Sequence, residues 1–414
     1  MPADSAVAAA VAEAHRGEWA FVLASTVRVT GDIDVAEECV QDAYAKALAT
    51  WGSGGIPERP GAWLTTVARR RALDLARRHV TAERALPLLV QRGAGSGSDE
   101  IERPEIVDDR LRLVFTCCHP ALAQEAQVAL TLRLICGLST AEVARSFLVS
   151  EPTMAARITR AKKKIAMAHI PYEVPPLGEL PERIDAVLTV VHLLFTTGHT
   201  APAGADLVRR DLVERSVDLA RMLRVLLPYD ADVAGLLGLV LLTDARRTSR
   251  VDQDGHLALM ADQDRACWDH GAIAEGVALV REALRRRPPG RFALMAAIAA
   301  VHDEAPSWEA TDWSEIVGLY DLLVAIWPSP VVALNRAVAV GLAEGAGAGL
   351  AALDELSSEP VLAGYSYLAA ARADFLTRLG RTDEARLAYQ EALMLSENAV
   401  ESDFLATRLA QLNR

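Results

Sequence analysis

The sequence predicts an all-α protein: two small helical domains on a flexible tether, the second built on a helix-turn-helix, then a large helical-repeat domain. Three observations carry that prediction. Apolar residues recur at three- and four-residue spacing along almost the whole chain, and no convincing alternating strand interrupts them. A Gly-, Ser- and acid-containing stretch, Thr81–Pro104, has no apolar stripe and separates two basic helices, as a flexible linker does. Finally, the pattern of Leu368–Leu393 returns in looser form at Val331–Leu356, an offset of roughly 35 residues that marks an internal repeat.

The chain has 414 residues, 51% of them hydrophobic, and a formal net charge of −12. That length allows several cores. The negative balance excludes a protein that coats nucleic acid indiscriminately, so any DNA binding has to be local, on basic helices of an acidic body. The start does not resemble a secretory signal, and the longest apolar run, Val233–Leu242, is too short to span a bilayer. A cytoplasmic protein with no membrane contact is expected. None of the five cysteines forms a CxxC pair. Cys117-Cys118-His119 are adjacent and cannot easily converge on one tetrahedral ion, so buried structural cysteines, no metal and no cofactor are expected.

The first domain is placed at 7–80. Trp19, Phe21, Val22 and Leu23 lead to a break at Thr30-Gly31-Asp32. The helix that follows sets Val35, Cys39, Val40 and Ala43 on one face and Asp34, Glu37, Glu38, Gln41 and Asp42 on an acidic face. The loop Trp51–Gly61 holds four glycines and two prolines, a turn-rich connection. A basic helix over Ala62–Arg78 then carries Trp63, Leu64, Val67, Ala68 and Leu73 as its stripe, with Arg69, Arg70, Arg71, Arg77 and Arg78 against the single acid Asp74.

After the linker at 81–104, the second domain is placed at 105–170. Its core is LSTAEVARSFLVSEPTMAARITRAKKK, Leu138–Lys164. Val143, Ala144 and Phe147 share one face of a first short helix; Met154, Ile158 and Ala161 share one face of a second. Ser150 sits at an N-cap position, and Pro152 just inside the start gives up no needed donor. Thr153, Arg157 and Arg160 point outward, and Lys162, Lys163 and Lys164 follow them. A basic second helix across a tight turn is the layout of a DNA-reading helix-turn-helix. Arginine makes bidentate contacts to guanine, and the lysines suit phosphates, which add affinity and salt dependence.

PYEVPPLGELP marks the next boundary. Beyond it, 171–290 reads as a helical extension and 291–414 as helical repeats. In Leu368–Leu393, Gly380 sits at the turn and Ala385, Tyr389 and Ala392 lie on the second helix, an arrangement that resembles a tetratricopeptide repeat. A third copy is placed around Ile273–Leu284. Stacked pairs of this kind form concave surfaces, which suit a protein partner or an intramolecular contact. In 244–270, Asp252, Asp254 and Gly255 start like a calcium loop, but Gln263 stands where the bidentate glutamate belongs. His256, Asp262, Asp264 and Asp269 accompany no nucleophile or phosphate-loop pattern. A salt-bridged structural loop, and no enzyme, is the expectation.

DVAEECVQDAY, then PGAWLTTVARRRALDLARR, then the helix-turn-helix resemble, in that order and spacing, the sigma-70 family of bacterial RNA polymerase initiation factors. The likeness covers roughly residues 10–170. It points to the extracytoplasmic-function branch, which keeps only the second and fourth sigma domains. DDRLRLVFTCCHPAL and the long extension resemble one group of that branch, ending in tetratricopeptide-like repeats. The resemblance implies that Asp34, Glu37, Glu38, Gln41 and Asp42 dock on core RNA polymerase. It implies that the Gly/Pro loop captures a flipped promoter base, and that Trp63, Arg69, Arg70, Arg77 and Arg78 serve the −10 element. Thr153, Arg157, Arg160 and Lys162–Lys164 would serve the −35 element, with promoter DNA and core polymerase as partners. Two positions depart from the family: Leu148 fills a turn usually made by glycine, and Arg70 stands where asparagine is frequent. Two other classes fit less of the pattern. A regulator with a ligand-sensing helical domain has no use for the second basic helix and its Gly/Pro loop. A helical-repeat scaffold would show no salt-sensitive DNA affinity.

Overall fold

The protein is described by a computed structural model covering residues 2–85, 109–147, 149–176, 178–201, 203–252 and 255–412. Among these residues eighteen α-helices account for almost all regular structure, and they form two compact units that divide at Val190/Val191.

The first unit opens with α1 (Pro2–Thr30), α2 (Ile33–Gly54) and α3 (Pro60–Ala85). Gly31 breaks the chain at the expected place, with φ +65°. The Asp32 carboxylate then caps α2 by accepting hydrogen bonds from the Asp34 and Val35 amides at 2.7 and 3.0 Å. Val22 and Leu23 of α1, Cys39, Val40 and Ala43 of α2, and Leu64 and Ala68 of α3 are fully buried, so the apolar stripes read from the sequence do meet. α3 runs to Ala85, five residues into the stretch expected as linker. The rest of that linker, and the next residues up to 108, lie outside the described residues, as does Leu148.

α4 (Asp109–Cys117) and α5 (Gln124–Leu130) follow, and α5 continues into a π-helical turn, Thr131–Ile135. Next come α6 (Thr140–Ser146) and α7 (Glu151–Met167). Ser139 and Glu142 form a reciprocal capping box on α6. Ser150 caps α7, with Pro152 in its first turn. Met154, Ile158 and Ala161 are buried as their spacing required. The segment expected to begin a new domain at 171 belongs to this unit: the Tyr172 hydroxyl donates to the Ala24 carbonyl at 2.7 Å, and Arg183 donates to the Phe115 carbonyl at 2.7 Å.

α8 (Leu180–His199) crosses the division. The second unit continues with α9 (Arg210–Leu226), α10 (Ala231–Asp244), α11 (His270–Ala283), α12 (Arg291–Glu304) and α13 (Trp313–Ile326). α14 (Pro330–Ala343), α15 (Ala346–Glu355), α16 (Ser366–Arg378), α17 (Thr382–Leu395) and α18 (Ala399–Gln411) complete it. α10 is buried from Val233 to Leu242, as a helix apolar all round must be. Ala234, Ala283 and Ala293 pack together, so the boundary expected at 290/291 runs through a core contact. The pairs α14–α15 and α16–α17 match the two better repeat copies; the third contains only α11. A two-residue parallel strand pair, Ala203–Gly204 with Glu397–Asn398, ties the unit's start to its end. Fully buried Asn398 reinforces the tie by donating to the Ala201 and Asp206 carbonyls. No helix among the described residues is long and apolar enough to cross a membrane.

Candidate nucleic-acid and polymerase interface

α7 carries an exposed basic face, with two departures from the pattern its spacing predicts. Thr153, Arg160, Lys163 and Lys164 are exposed. Arg157 is half-buried: it pairs with Glu125 at 3.0 Å and lies over the Phe147 ring at 5.5 Å. These contacts hold the guanidinium at a defined height on the helix.

Lys162 departs from the expectation. Its spacing placed it with the other two lysines on the solvent side, but only 13% of its side chain is exposed. It reaches back to α2, where its ammonium donates to Asp34 at 2.7 Å and to Glu37. Burial would depress the Lys162 pKa; the carboxylates of Glu37 and Asp34 outweigh that and hold it above the ordinary lysine value.

On α3, Arg70 and Arg77 are exposed and Arg69 half-buried. The side chain of Arg78 lies outside the described residues. Trp63 packs edge-to-face on buried Trp51, with ring centroids 5.5 Å apart, which anchors the Gly/Pro loop at both ends. Arg71 bonds Asp42 at 2.9 Å and braces α3 on α2.

Glu38, Gln41 and Asp42 are exposed on α2, as is Asp34 with 72% of its side chain accessible. Glu37 departs from the expected solvated face: its side chain is 7% exposed and receives Arg133 at 2.8 Å as well as Lys162. The reason is tertiary. The helix-turn-helix module packs on α1 and α2, and a carboxylate caught in that contact is retained by two cations. The same contact buries Trp19, whose indole N–H donates to the Leu134 carbonyl at 3.0 Å. Gly137 closes it. Its φ is +71°, and an added Cβ would lie 3.0 Å from both the Trp19 and His15 rings.

The sequence reading missed Arg133, Trp19, Gly137 and Tyr172 as members of a junction. One signal was present: Arg133 is a single cation inside the apolar run VALTLRLI, and a charge in such a place needs a partner. Cys117 and Cys118 are buried thiols, with burial pushing Cys118 up to about 12.

In 244–270 the structure shows charges tied to scaffold. Asp264 and Asp269 cap the turns that follow them, accepting from Ala266 and Ala272 at 2.9 Å each. Arg246 reaches the fully buried Asp303 at 3.3 Å, and Arg246 and Arg265 both lie against the Trp268 ring, at 5.8 and 4.5 Å from its centroid. Asp254 lies outside the described residues.

A capped helix-turn-helix with an exposed basic face, in a chain that carries a second basic helix, has the make-up of a DNA-binding protein. Comparison with known proteins makes this specific. Sigma-70 region 2 matches residues 20–81, sigma-70 region 4 matches 112–165, and a family of unknown function, DUF6596, matches 183–284. An uncharacterised protein of Rhizobium meliloti (strain 1021) is 41% identical over 395 residues, 94% of this chain and 93% of that protein. The probable ECF RNA polymerase sigma factor SigI of Mycobacterium tuberculosis is 28% identical over 169 residues, 40% of this chain and 58% of that protein. The chain belongs to the sigma-70 family as an ECF-like factor, with regions 2 and 4 followed by a C-terminal extension. Its function is promoter-directed transcription initiation, and the sigma families are not families of enzymes.

Proposed function

We propose that this sigma factor binds core RNA polymerase through the acidic face of α2, with Glu38, Gln41 and Asp42 accessible and Asp34 and Glu37 completing it. α3 serves the −10 element through Arg69, Arg70, Arg77 and Arg78, with Trp63 holding the helix and loop in place. α7 serves the −35 element through Thr153, Arg157 and Arg160, with Lys163 and Lys164 on phosphates. Lys162 joins them only when it leaves α2. The helical extension modulates this activity, and the protein works in the cytoplasm. The observation that carries the reading is α7 itself: capped, amphipathic and openly basic at Arg160, Lys163 and Lys164 in a chain of net charge −12. A basic stripe on an acidic body is a directed DNA contact rather than a general affinity.

The test is reconstitution of the full chain with core polymerase on genomic fragments. Initiation from a limited set of fragments is expected. Failure of the chain to associate with core would overturn the reading.

A further inference from the structure

A cleft of about 300 Å³ opens in the second unit, where the end of α10 meets α9, the start of α11 and the segment between α10 and α11. Its size lies at the low end of ligand-binding clefts and suits a small molecule. Val217, Leu241 and Ala272 give it an apolar wall, and the buried Trp268 gives it an aromatic one. Arg221 on its lining is already committed, because both terminal nitrogens donate to Glu275 at 2.8 Å.

Asp244 and Arg247, also on the lining, face each other more loosely. They form an ion pair at 3.4 Å, with 19% and 24% of their side chains exposed. Asp244 Oδ1, Arg247 Nη1 and Trp268 Nε1 are buried and have no hydrogen-bond partner among the described residues. Buried polar groups are normally paired, so two donors and an acceptor left over on the walls of one cleft call for a ligand with both kinds of group. A lone anion would meet the carboxylates of Asp244 and Asp269, and a lone cation would meet Arg221 and Arg247. A molecule that carries both charges satisfies the pair.

We propose that this cleft binds a small zwitterion of the α-amino acid class, with its carboxylate on Arg247, its ammonium on Asp244 and its side chain against Trp268, Val217 and Leu241. An α-amino acid holds its two charges on one carbon, which matches a guanidinium and a carboxylate 3.4 Å apart. A longer zwitterion would have to fold back on itself. Burial holds the Asp244 carboxyl above its ordinary value although Arg247 opposes the shift, and an ammonium beside it favours the charged form. The whole site lies within residues 183–284, outside sigma regions 2 and 4, in the stretch that DUF6596 matches.

The experiment titrates the full chain with each standard L-α-amino acid, up to about 10 mM, by isothermal titration calorimetry. Saturable, stoichiometric binding of at least one of them is expected. The C-terminal amide and the N-acetyl derivative of that amino acid each lack one charge and should bind about tenfold more weakly. Arg247→Gln and Asp244→Asn should weaken the intact amino acid by a similar factor, as should Ala272→Leu, which narrows the cleft and leaves both charges in place. A far-UV circular dichroism melt without amino acid shows that each variant is folded. Where a charge variant does not fold, Ala272→Leu and the two derivatives decide. Absence of saturable binding to the parent overturns the proposal, and so does binding that the folded variants retain undiminished. A derivative bound as tightly as the amino acid itself overturns the zwitterion.

Discussion

The two units bury charge in different ways. In the first, Glu37, Arg133 and Lys162 meet across a junction between modules, and separation of the modules returns all three to water. In the second, Asp303 lies at 0% side-chain exposure beneath Arg246, inside a single packed core with no such exit. A buried ion pair costs desolvation wherever it lies. In the first unit that cost is borne at a contact between modules, in the second inside a single packed core.

Acid should break the second unit first, and this is the largest effect expected. Burial, with nearby arginines adding to it, lowers His192 and His302 to about 4 and His199 to about 3. Between about pH 4 and 6.5 the unfolded chain therefore binds three protons that the folded unit refuses. Asp303 opposes this. Burial raises it to about 7, so the folded unit keeps one proton that the unfolded chain releases. Asp218 and Asp244, also raised by burial, add to that opposition, so the net uptake stays below two protons and stability should fall by at most about 2–3 kcal/mol for each pH unit below 6.5. Lys162 has the opposite sign: its raised pKa makes the junction's contribution complete below the ordinary lysine value, to be lost as pH climbs through the folded one. Denaturant titrations from pH 8 to 4, followed by far-UV circular dichroism, check the first claim. Denaturant titrations continued to alkaline pH check the second.

Asp303→Ala against Glu37→Gln tests the comparison directly. Removing one partner of a buried pair leaves an unpaired charge, and in the second unit that should cost about 3–5 kcal/mol. In the first unit the freed cations reach water by opening, so Glu37→Gln should cost clearly less while lengthening the distance between modules. Equal losses in the two variants would mean that the junction is as fixed as the core.

Helix α7 was the most legible part of the sequence, because its information is local. Met154, Ile158 and Ala161 recur at helical spacing, and Ser150 and Pro152 mark the start. The break at Gly31 was legible for the same reason. Glu37 was not, because a charged helix face gives no local sign of burial and its partner Lys162 lies 125 residues further along. The same distance in sequence hid Trp19 and Tyr172 as junction residues. The repeat boundaries were blurred by small residues: Ala234, Ala283 and Ala293 carry no strong periodic signal, yet they join helices on either side of the expected division at 290.

A milder comparison uses Gly137 and Gly380, which share a positive φ of +71° and +73°. At Gly380 nothing lies near an added Cβ, so Ala should cost about 1–2 kcal/mol through backbone conformation alone. At Gly137 the same change also presses on Trp19 and His15, and relief comes by parting the modules. Gly137→Ala should therefore lower the melting temperature more than Gly380→Ala does.

The smallest effect separates two neighbours in one lysine run. Lys163 is exposed and Lys162 is committed to α2, although the sequence presents them identically. Lys163→Ala should weaken promoter-duplex binding evenly across sequences and reduce the magnitude of the salt slope by about 1. Lys162→Ala should leave that slope nearly unchanged while the chain is closed, because a cation already paired with two carboxylates releases few counterions from DNA. Equal slopes for both variants without core would place Lys162 on phosphates from the outset and remove the distinction between the junction and the reading face.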